Sequence, residues 1–281
     1  MRSVTARPDK EFAFSDVDYR SIRDRVYDLA GISLGDQKVD LVYSRLSKRL
    51  RALGLTSFTS YLELLDSAEG RPELERMLNA LTTNLTSFFR ESHHFDHLKT
   101  VAVKSALDRQ KFSNHRLRLW SSACSTGEEP YSIAMTLLDC DIDLSGVDTR
   151  ILATDLNTEV LQHASNGRYS SAVMAKCPAA SRRHFKLDKD GKGEVQASVK
   201  GLISFRHLNL LHSWPMKGLF DIIFCRNVLI YFDNDTKQQL VNRFVDILEP
   251  GGWLYLGHSE SASGTHPDLE LIGRTIYRKA T

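Results

Sequence analysis

The feature that most constrains this chain is a change of hydrophobic period near residue 98. Beyond it, short apolar runs with strand character alternate with segments of helical spacing. The run at 116–120 precedes a helix-like stretch at 130–138, that at 150–154 precedes 158–165, that at 220–224 precedes 235–248, and another run follows at 252–256. Strands separated by helices lie parallel, because a helix on each crossover brings the chain back to the same end of the sheet. The expected fold is therefore α/β, a doubly wound, mainly parallel sheet of Rossmann-like form. Ligands in such sheets bind beyond the carboxyl ends of the strands.

The first part of the chain has a different period. Ile22, Val26 and Leu29, then Leu41, Val42, Leu46, Leu50 and Leu53, then Leu62 and Leu65, then Leu74, Met77, Leu78 and Leu81 recur at helical intervals. Ser15 and Ser57 suit N-caps, and Gly31 and Gly54 suit helix stops. A bundle of about four helices is expected in 1–83, then a second domain over 84–281 entered through a junction loop at 84–91. Two stretches interrupt the alternation. The turn at 188–193 suggests a small antiparallel β-subdomain inserted at about 174–208, with 194–200 and 202–206 as its strands. At the end of the chain, 269–272 and 275–277 flank Gly273-Arg274 as a hairpin closing the sheet.

No apolar run approaches the ~20 residues that cross a bilayer, and the start lacks the apolar stretch of a secretory signal, so a cytoplasmic protein that is not an integral membrane protein is expected. Cys124, Cys140, Cys177 and Cys225 show no Cys-x-x-Cys spacing and do not cluster with histidines, which suggests neither zinc nor a disulfide framework. A formal net charge of +2 argues against a nucleic-acid partner. Local charge is more informative. Lys38, Arg45, Lys48, Arg49 and Arg51 face a lone acid, Asp40, in the basic helix expected at 38–53. Such a helix suits an acidic partner surface, or is simply a solvated face.

The residues with chemical potential sit where strands end. The stretch 120–130, Trp-Ser-Ser-Ala-Cys-Ser-Thr-Gly-Glu-Glu-Pro, lies between a first strand and a first helix, and its small residues let backbone approach a ligand. It is neither a G-x-G-x-x-G fingerprint nor a P-loop. Glu128 and Glu129 repel a pyrophosphate and suit a ligand carrying an ammonium and a sulfonium, or else they merely cap a turn. Asp155, past the second strand, can accept from both ribose hydroxyls, although an acid there also starts helices. Asn209-Leu210 and the stretch 225–232, with Asn227, Val228 and Tyr231, stand at adjacent strand ends, and Asn can read an adenine edge. The junction loop concentrates hydroxyls, amide and guanidinium beside Phe88 and Phe89, and Arg90 there can grip a carboxylate. His93 and His94 are adjacent, which assigns them to different helix faces and argues against a shared metal.

In order, 84–91, 123–132, 153–157, Asn209-Leu210 and 225–232 resemble the chemotaxis receptor methyltransferases, the CheR family. That resemblance implies a small helical N-terminal domain and a class I methyltransferase domain with an antiparallel β-subdomain. It implies S-adenosylmethionine as cofactor, S-adenosylhomocysteine as product, and glutamate γ-methyl esters formed on the cytoplasmic domain of methyl-accepting receptors during chemotactic adaptation. Asn84, Thr86, Arg90, Glu128, Asp155, Asn209, Leu210, Asn227 and Val228 correspond to cofactor contacts, and Arg90 and Tyr231 to residues near the transferred methyl. The basic helix, with Arg45, Lys48 and Arg49, corresponds to a receptor-docking element, which implies recruitment to membrane-bound arrays. The inserted hairpin corresponds to a subdomain that in some relatives binds a receptor-tail peptide. Its connection is short here, so no C-terminal tether is expected to be required. Two other readings compete. A nitrogen methyltransferase is disfavoured because Asn227-Val-Leu-Ile lacks an Asn/Asp-Pro-Pro loop, and a cofactor sensor without transfer is disfavoured by the presence of both Arg90 and Tyr231.

Overall fold

A computed structural model describes residues 10–109 and 115–281. These fall into two compact units, one holding the described residues up to Thr83 together with Tyr231–Asp233, the other Asn84–Ile230 with Asn234–Thr281.

The first unit contains α1 (Asp16–Ala30), α2 (Val39–Leu53), α3 (Phe58–Asp66) and α4 (Arg71–Leu81). Local chemistry sets their ends. Ser15 and Asp18 form a reciprocal capping box at the start of α1, and Gly31, left-handed at φ 66°, closes it. Ser57 accepts from Ser60 N to start α3, while Gly54 ends α2 at φ 68°. The apolar stripes meet in one core in which Ile22, Val26, Val42, Leu46, Leu50, Phe58, Tyr61 and Met77 are fully buried. Truncating Ile22, Leu46, Leu50 or Met77 to Ala costs about 2–5 kcal/mol.

The second unit opens with α5 (His93–His97), a π turn (Leu98–Ala102) and α6 (Val103–Arg109). The strands are β1 (Arg116–Ser121), β2 (Asp148–Asp155), β3 (Arg168–Tyr169), β4 (Phe185–Leu187), β5 (Gly193–Val195), β6 (Ile203–His207), β7 (Phe220–Cys225), β8 (Leu248–Leu256), β9 (Leu269–Gly273) and β10 (Ile276–Lys279). Between them run α7 (Glu128–Leu138), α8 (Thr158–Asn166), the single turns α9 (Ser171–Met174) and α10 (Ala197–Lys200), and α11 (Asn234–Asp246). A seven-stranded sheet has the order β6-β2-β1-β7-β8-β10-β9. The first five strands are parallel and the C-terminal pair antiparallel, so the terminal hairpin does close the sheet. Every residue of β7 is buried, as a central parallel strand covered on both faces requires. Aromatic rings fill the layers: Trp120 packs on Trp214, Phe220 and Phe244, while Phe224 stacks on Tyr255 at 4.3 Å between centroids.

The inserted subdomain differs from expectation. The strand expected at 194–200 stops at Val195, and 197–200 turns into α10. The strand expected at 202–206 is not its hairpin partner but β6, which joins the main sheet parallel to β2 with Phe205 opposite Ala153. Alternation shows that a segment is a strand without showing its neighbour, and here Ile203 and Phe205 find the main core. The separate small sheet has the order β3-β5-β4 and begins already at Arg168.

Candidate functional site

Strand order reverses between β1 and β7: the chain moves outward from β1 to β2 and β6, then returns to β7 and β8. That reversal parts the loops at the carboxyl ends and creates a crevice. The loop after β1 is held from several sides. Ser122 N donates to Phe224 O at 2.9 Å, Cys124 N to Thr154 O at 2.8 Å, and the Tyr169 hydroxyl to Thr126 O at 2.7 Å. Gly127 ends the loop at φ 97°, and a Cβ there would meet Ala164 Cβ at 2.8 Å and the Tyr169 hydroxyl at 2.9 Å, so no side chain fits.

Asp155 stands at the end of β2, where its Oδ2 accepts from Ser125 N at 2.7 Å and its Oδ1 from Asn157 N at 2.9 Å. Asn157, not Asp155, caps α8 by accepting from Glu159 N and Val160 N. A carboxylate has about four acceptor positions, so Asp155 holds the loop and keeps capacity for a ligand. Burial pushes its carboxyl above the ordinary value, opposed by the N–H groups of Asn157 and Ser125. Burial likewise raises Glu128, against a hydrogen bond of 2.6 Å from the Thr126 hydroxyl.

Glu129 has its charge matched within the protein. Its Oε1 accepts from the Ser121 hydroxyl at 2.7 Å and its Oε2 from Arg226 Nη1 at 2.9 Å, in full burial. The two adjacent acids therefore differ in surroundings, because a guanidinium far away in sequence pairs with the second. Asn209 uses its Oδ1 on Leu211 N at 3.0 Å, and with Leu210 it is buried at the end of β6. Asn227 is left-handed at φ 58°, with its N–H on Glu260 Oε2 at 2.8 Å, and Val228 beside it is half-buried. Glu260 also accepts from Gly257 N at 2.6 Å and Ile230 N at 3.3 Å, tying the loop after β7 to that after β8.

The junction loop enters the same group of contacts. Asn84 O accepts from the Ser125 hydroxyl at 3.0 Å, and Phe89 N donates to the Ser132 hydroxyl at 2.9 Å. Thr86 is half-buried between them in sequence. Arg90 donates from Nη1 to Leu85 O at 2.9 Å, and its own carbonyl accepts from Arg226 Nη2 at 2.5 Å. Glu91 lies 3.2 Å from Arg226 Nη2 and accepts from His258 Nδ1 at 3.0 Å. Burial alone would raise the Glu91 carboxyl, but Arg226 and His258 outweigh it and hold it at about 2. Four of the non-glycine residues with left-handed backbone, Phe89, Glu91, Ser125 and Asn227, belong to these loops. Such conformations are uncommon and gather at functional sites.

Other expectations need adjusting. Tyr231 belongs to the helical unit, where its carbonyl accepts from Ser33 N at 2.8 Å and its hydroxyl donates to Thr83 O at 3.3 Å. His93 and His94 do not point apart. Their ring centroids are 4.1 Å from each other and both Nε2 atoms approach Arg274 O, because that turn carbonyl draws the rings to one side. In α2, Arg45 donates to the carbonyls of Leu81 at 2.8 Å and Thr82 at 2.7 Å, closing the C-terminus of α4. Arg49 grips Glu73 through two bonds of 2.9 and 2.8 Å. Lys38, Lys48 and Arg51 are exposed, and Arg51 pairs with Glu11. A groove of about 500 Å³ lined by Leu137, Cys140, Leu144, Val147 and Leu202 lies at the amino end of β2, away from the strand ends that gather the polar groups.

Sequence reasoning missed Arg226, Glu91, Glu260 and Tyr169. One signal was available: Arg226 is a charge directly after the apolar run 220–225, where burial demands a counter-charge. Which acid supplies it is not written locally.

Two family models account for nearly the whole chain. Residues 84–278 match the SAM-binding domain of CheR methyltransferases and residues 17–82 their all-alpha domain. The chain is 43% identical over 280 residues to "Chemotaxis protein methyltransferase 2" of Pseudomonas aeruginosa, covering 97% of this chain and 96% of that protein. It is 44% identical over 261 residues to "Probable chemotaxis protein methyltransferase" of Rhizobium etli, covering 91% and 97%. To "Chemotaxis protein methyltransferase" of Escherichia coli it is 41% identical over 280 residues, covering 98% and 95%.

Proposed function

Because this chain belongs to the CheR methyltransferase family, we propose that it esterifies glutamate side chains on the cytoplasmic domain of methyl-accepting chemotaxis receptors, with S-adenosylmethionine as methyl donor. The observation that carries the reading is the convergence of Asp155, Glu128, Asn209, Asn227 and the strained junction loop on the carboxyl ends of the parallel strands. The donor set fits the cofactor. Asp155 would hold the ribose hydroxyls, Glu128 the cationic part, and Asn209 and Leu210 the adenine, with Asn84, Thr86, Arg90, Asn227 and Val228 completing the contacts.

The cofactor supplies a methyl carbon bound to cationic sulfur. A glutamate carboxylate, with an ordinary pKa near ~4.3, is already ionised at neutral pH, so the protein needs no general base. What it must supply is orientation, which contributes up to about 7–11 kcal/mol. Arg90 keeps part of its planar fork for a carboxylate after donating to Leu85 O, and it would align the substrate. Too strong a pair with Arg90 would blunt the nucleophile, which favours a glancing contact.

Docking to an acidic receptor surface falls to the exposed charge of α2. Lys48, with Lys38, would carry it, while Arg45 and Arg49 shape the helix that presents it. This docking would bring a cytoplasmic enzyme to receptor arrays. We also retain the reading that no receptor-tail tether is required. The edge strand β4 offers only Phe185–Leu187 and turns tightly at Asp188, whose N–H donates to Lys192 O at 2.8 Å. The test is incubation with tritiated S-adenosylmethionine and receptor-containing membranes, followed by alkaline hydrolysis. Label released as methanol from the receptor band is expected. Alkali-stable label, or none, would reject glutamate esterification.

A further inference from the structure

We infer that Arg226 is a positioning residue for methyl transfer, one guanidinium that sets the backbone of Arg90 and thereby the direction in which Arg90 presents its fork. The inference rests on the reading that Arg90 orients the reacting carboxylate.

Arg226 follows β7 directly, and only 2% of its side chain is exposed. It reaches two distant segments of chain: Nη1 donates to Glu129 Oε2 at the start of α7, and Nη2 donates to Arg90 O and lies 3.2 Å from Glu91 Oε2. Arg90 sits between two left-handed residues, Phe89 at φ 52° and Glu91 at φ 57°. A non-glycine backbone of that form persists only where its surroundings over-determine it. The restraints are the Phe89 N–H on Ser132, the Arg226 grip on the Arg90 carbonyl, and the Glu91 carboxylate held between Arg226 and His258. Glu129 in turn anchors Arg226 to the helix that begins at the ligand loop, and Ser121 holds Glu129. Arg90 is thus fixed relative to that loop by a chain of contacts passing through one planar cation. A lysine places one charge at one point and cannot donate to both Glu129 and the Arg90 carbonyl in fork geometry while pairing with Glu91.

A buried ion cluster with only a structural role would lower stability whatever Arg90 does, so the decisive measurement is a double-mutant cycle. Arg226→Lys, Arg90→Ala and the combination are compared for kcat and KM with tritiated cofactor and receptor membranes, for S-adenosylhomocysteine affinity by calorimetry, and for unfolding in urea. Arg226→Lys is expected to lower kcat about a hundredfold, the scale of a displacement of roughly 1 Å at a reacting group, with a much smaller change in affinity. In the Arg90→Ala background the same change should cost less than about threefold, since residues acting as a unit are not additive. Equal losses in both backgrounds, or affinity falling as far as kcat, would overturn the inference. Wild-type turnover by Arg90→Ala alone would instead remove the reading beneath it. Should Arg226→Lys fail to fold, Glu129→Gln, which loosens the anchor of Arg226 at the same size, takes its place in the cycle with the same expected non-additivity and the same refuting result.

Discussion

Replacing Arg49 by alanine tests whether the basic helix docks or holds the fold. Glu73, with a side chain only 4% exposed, depends on Arg49 for two hydrogen bonds, on the Tyr61 hydroxyl at 3.0 Å and on Arg76 at 3.7 Å. Removing one partner of a buried ion pair costs about 3–5 kcal/mol, because the remaining charge loses its compensation. Arg76 stays near, but it is over half exposed and cannot replace a two-pronged contact. We therefore expect Arg49→Ala to destabilise the helical unit by about 3 kcal/mol. For a unit of this size, at about 4–8 °C per kcal/mol, the melting transition should fall by roughly 12–24 °C. Far-UV circular dichroism during urea and thermal unfolding provides the assay. Removing both charges in Arg49→Met with Glu73→Leu should recover most of the loss, short by about 1 kcal/mol for the Tyr61 hydroxyl left without its acceptor. Stability of Arg49→Ala within about 0.5 kcal/mol of wild type would refute the reasoning, and Arg49 would then return to the docking surface.

Lys48→Ala should leave unfolding unchanged within about 0.5 kcal/mol yet reduce methylation at subsaturating receptor, and added salt should imitate it because exposed charges are screened over about 8–10 Å; undiminished methylation counts against docking through α2. Asp155→Ala should weaken S-adenosylhomocysteine about tenfold or more, and Asp155→Asn less, since its amide oxygen can still accept one of the two loop N–H groups; unchanged affinity by calorimetry would remove Asp155 from the site. Burial raises Glu128 and Asp155, so their neutral forms appear at higher pH than those of exposed carboxylates, and affinity should decline on acidification before exposed carboxylates titrate; a flat titration contradicts this. Burial, then Arg226 and His93, lower His94 to about 3 from an ordinary 6.5. The unfolded chain therefore takes up a proton that the folded one refuses, and stability is lost as pH falls from about 6.5 toward 3, at up to ~1.4 kcal/mol per pH unit. His94→Gln should lose less than wild type between pH 7 and 5, and equal losses in urea titrations would exclude His94 as the cause.

The sequence by itself determined the architecture and the ends of its elements. Alternating strand and helix periods leave a parallel sheet little alternative, and Ser15, Gly31, Gly54 and Ser57 act within one turn of themselves, so each could be read where it stands. The positions of Asp155 and the small-residue loop at strand ends were legible for the same reason, since strand and helix periods mark where each strand stops. Only the tertiary structure decided how polar groups are shared. Glu128 and Glu129 are adjacent and chemically identical, yet Arg226, 97 positions away, takes one of them. Arg45 and Arg49 resemble the other cations of a basic helix until α4 presents its open carbonyls and Glu73. The segment 203–207 carries a strand pattern, but β2 supplies its partner. Period reports which way a side chain points from its own backbone, whereas the state of a charge depends on whichever distant group burial places beside it.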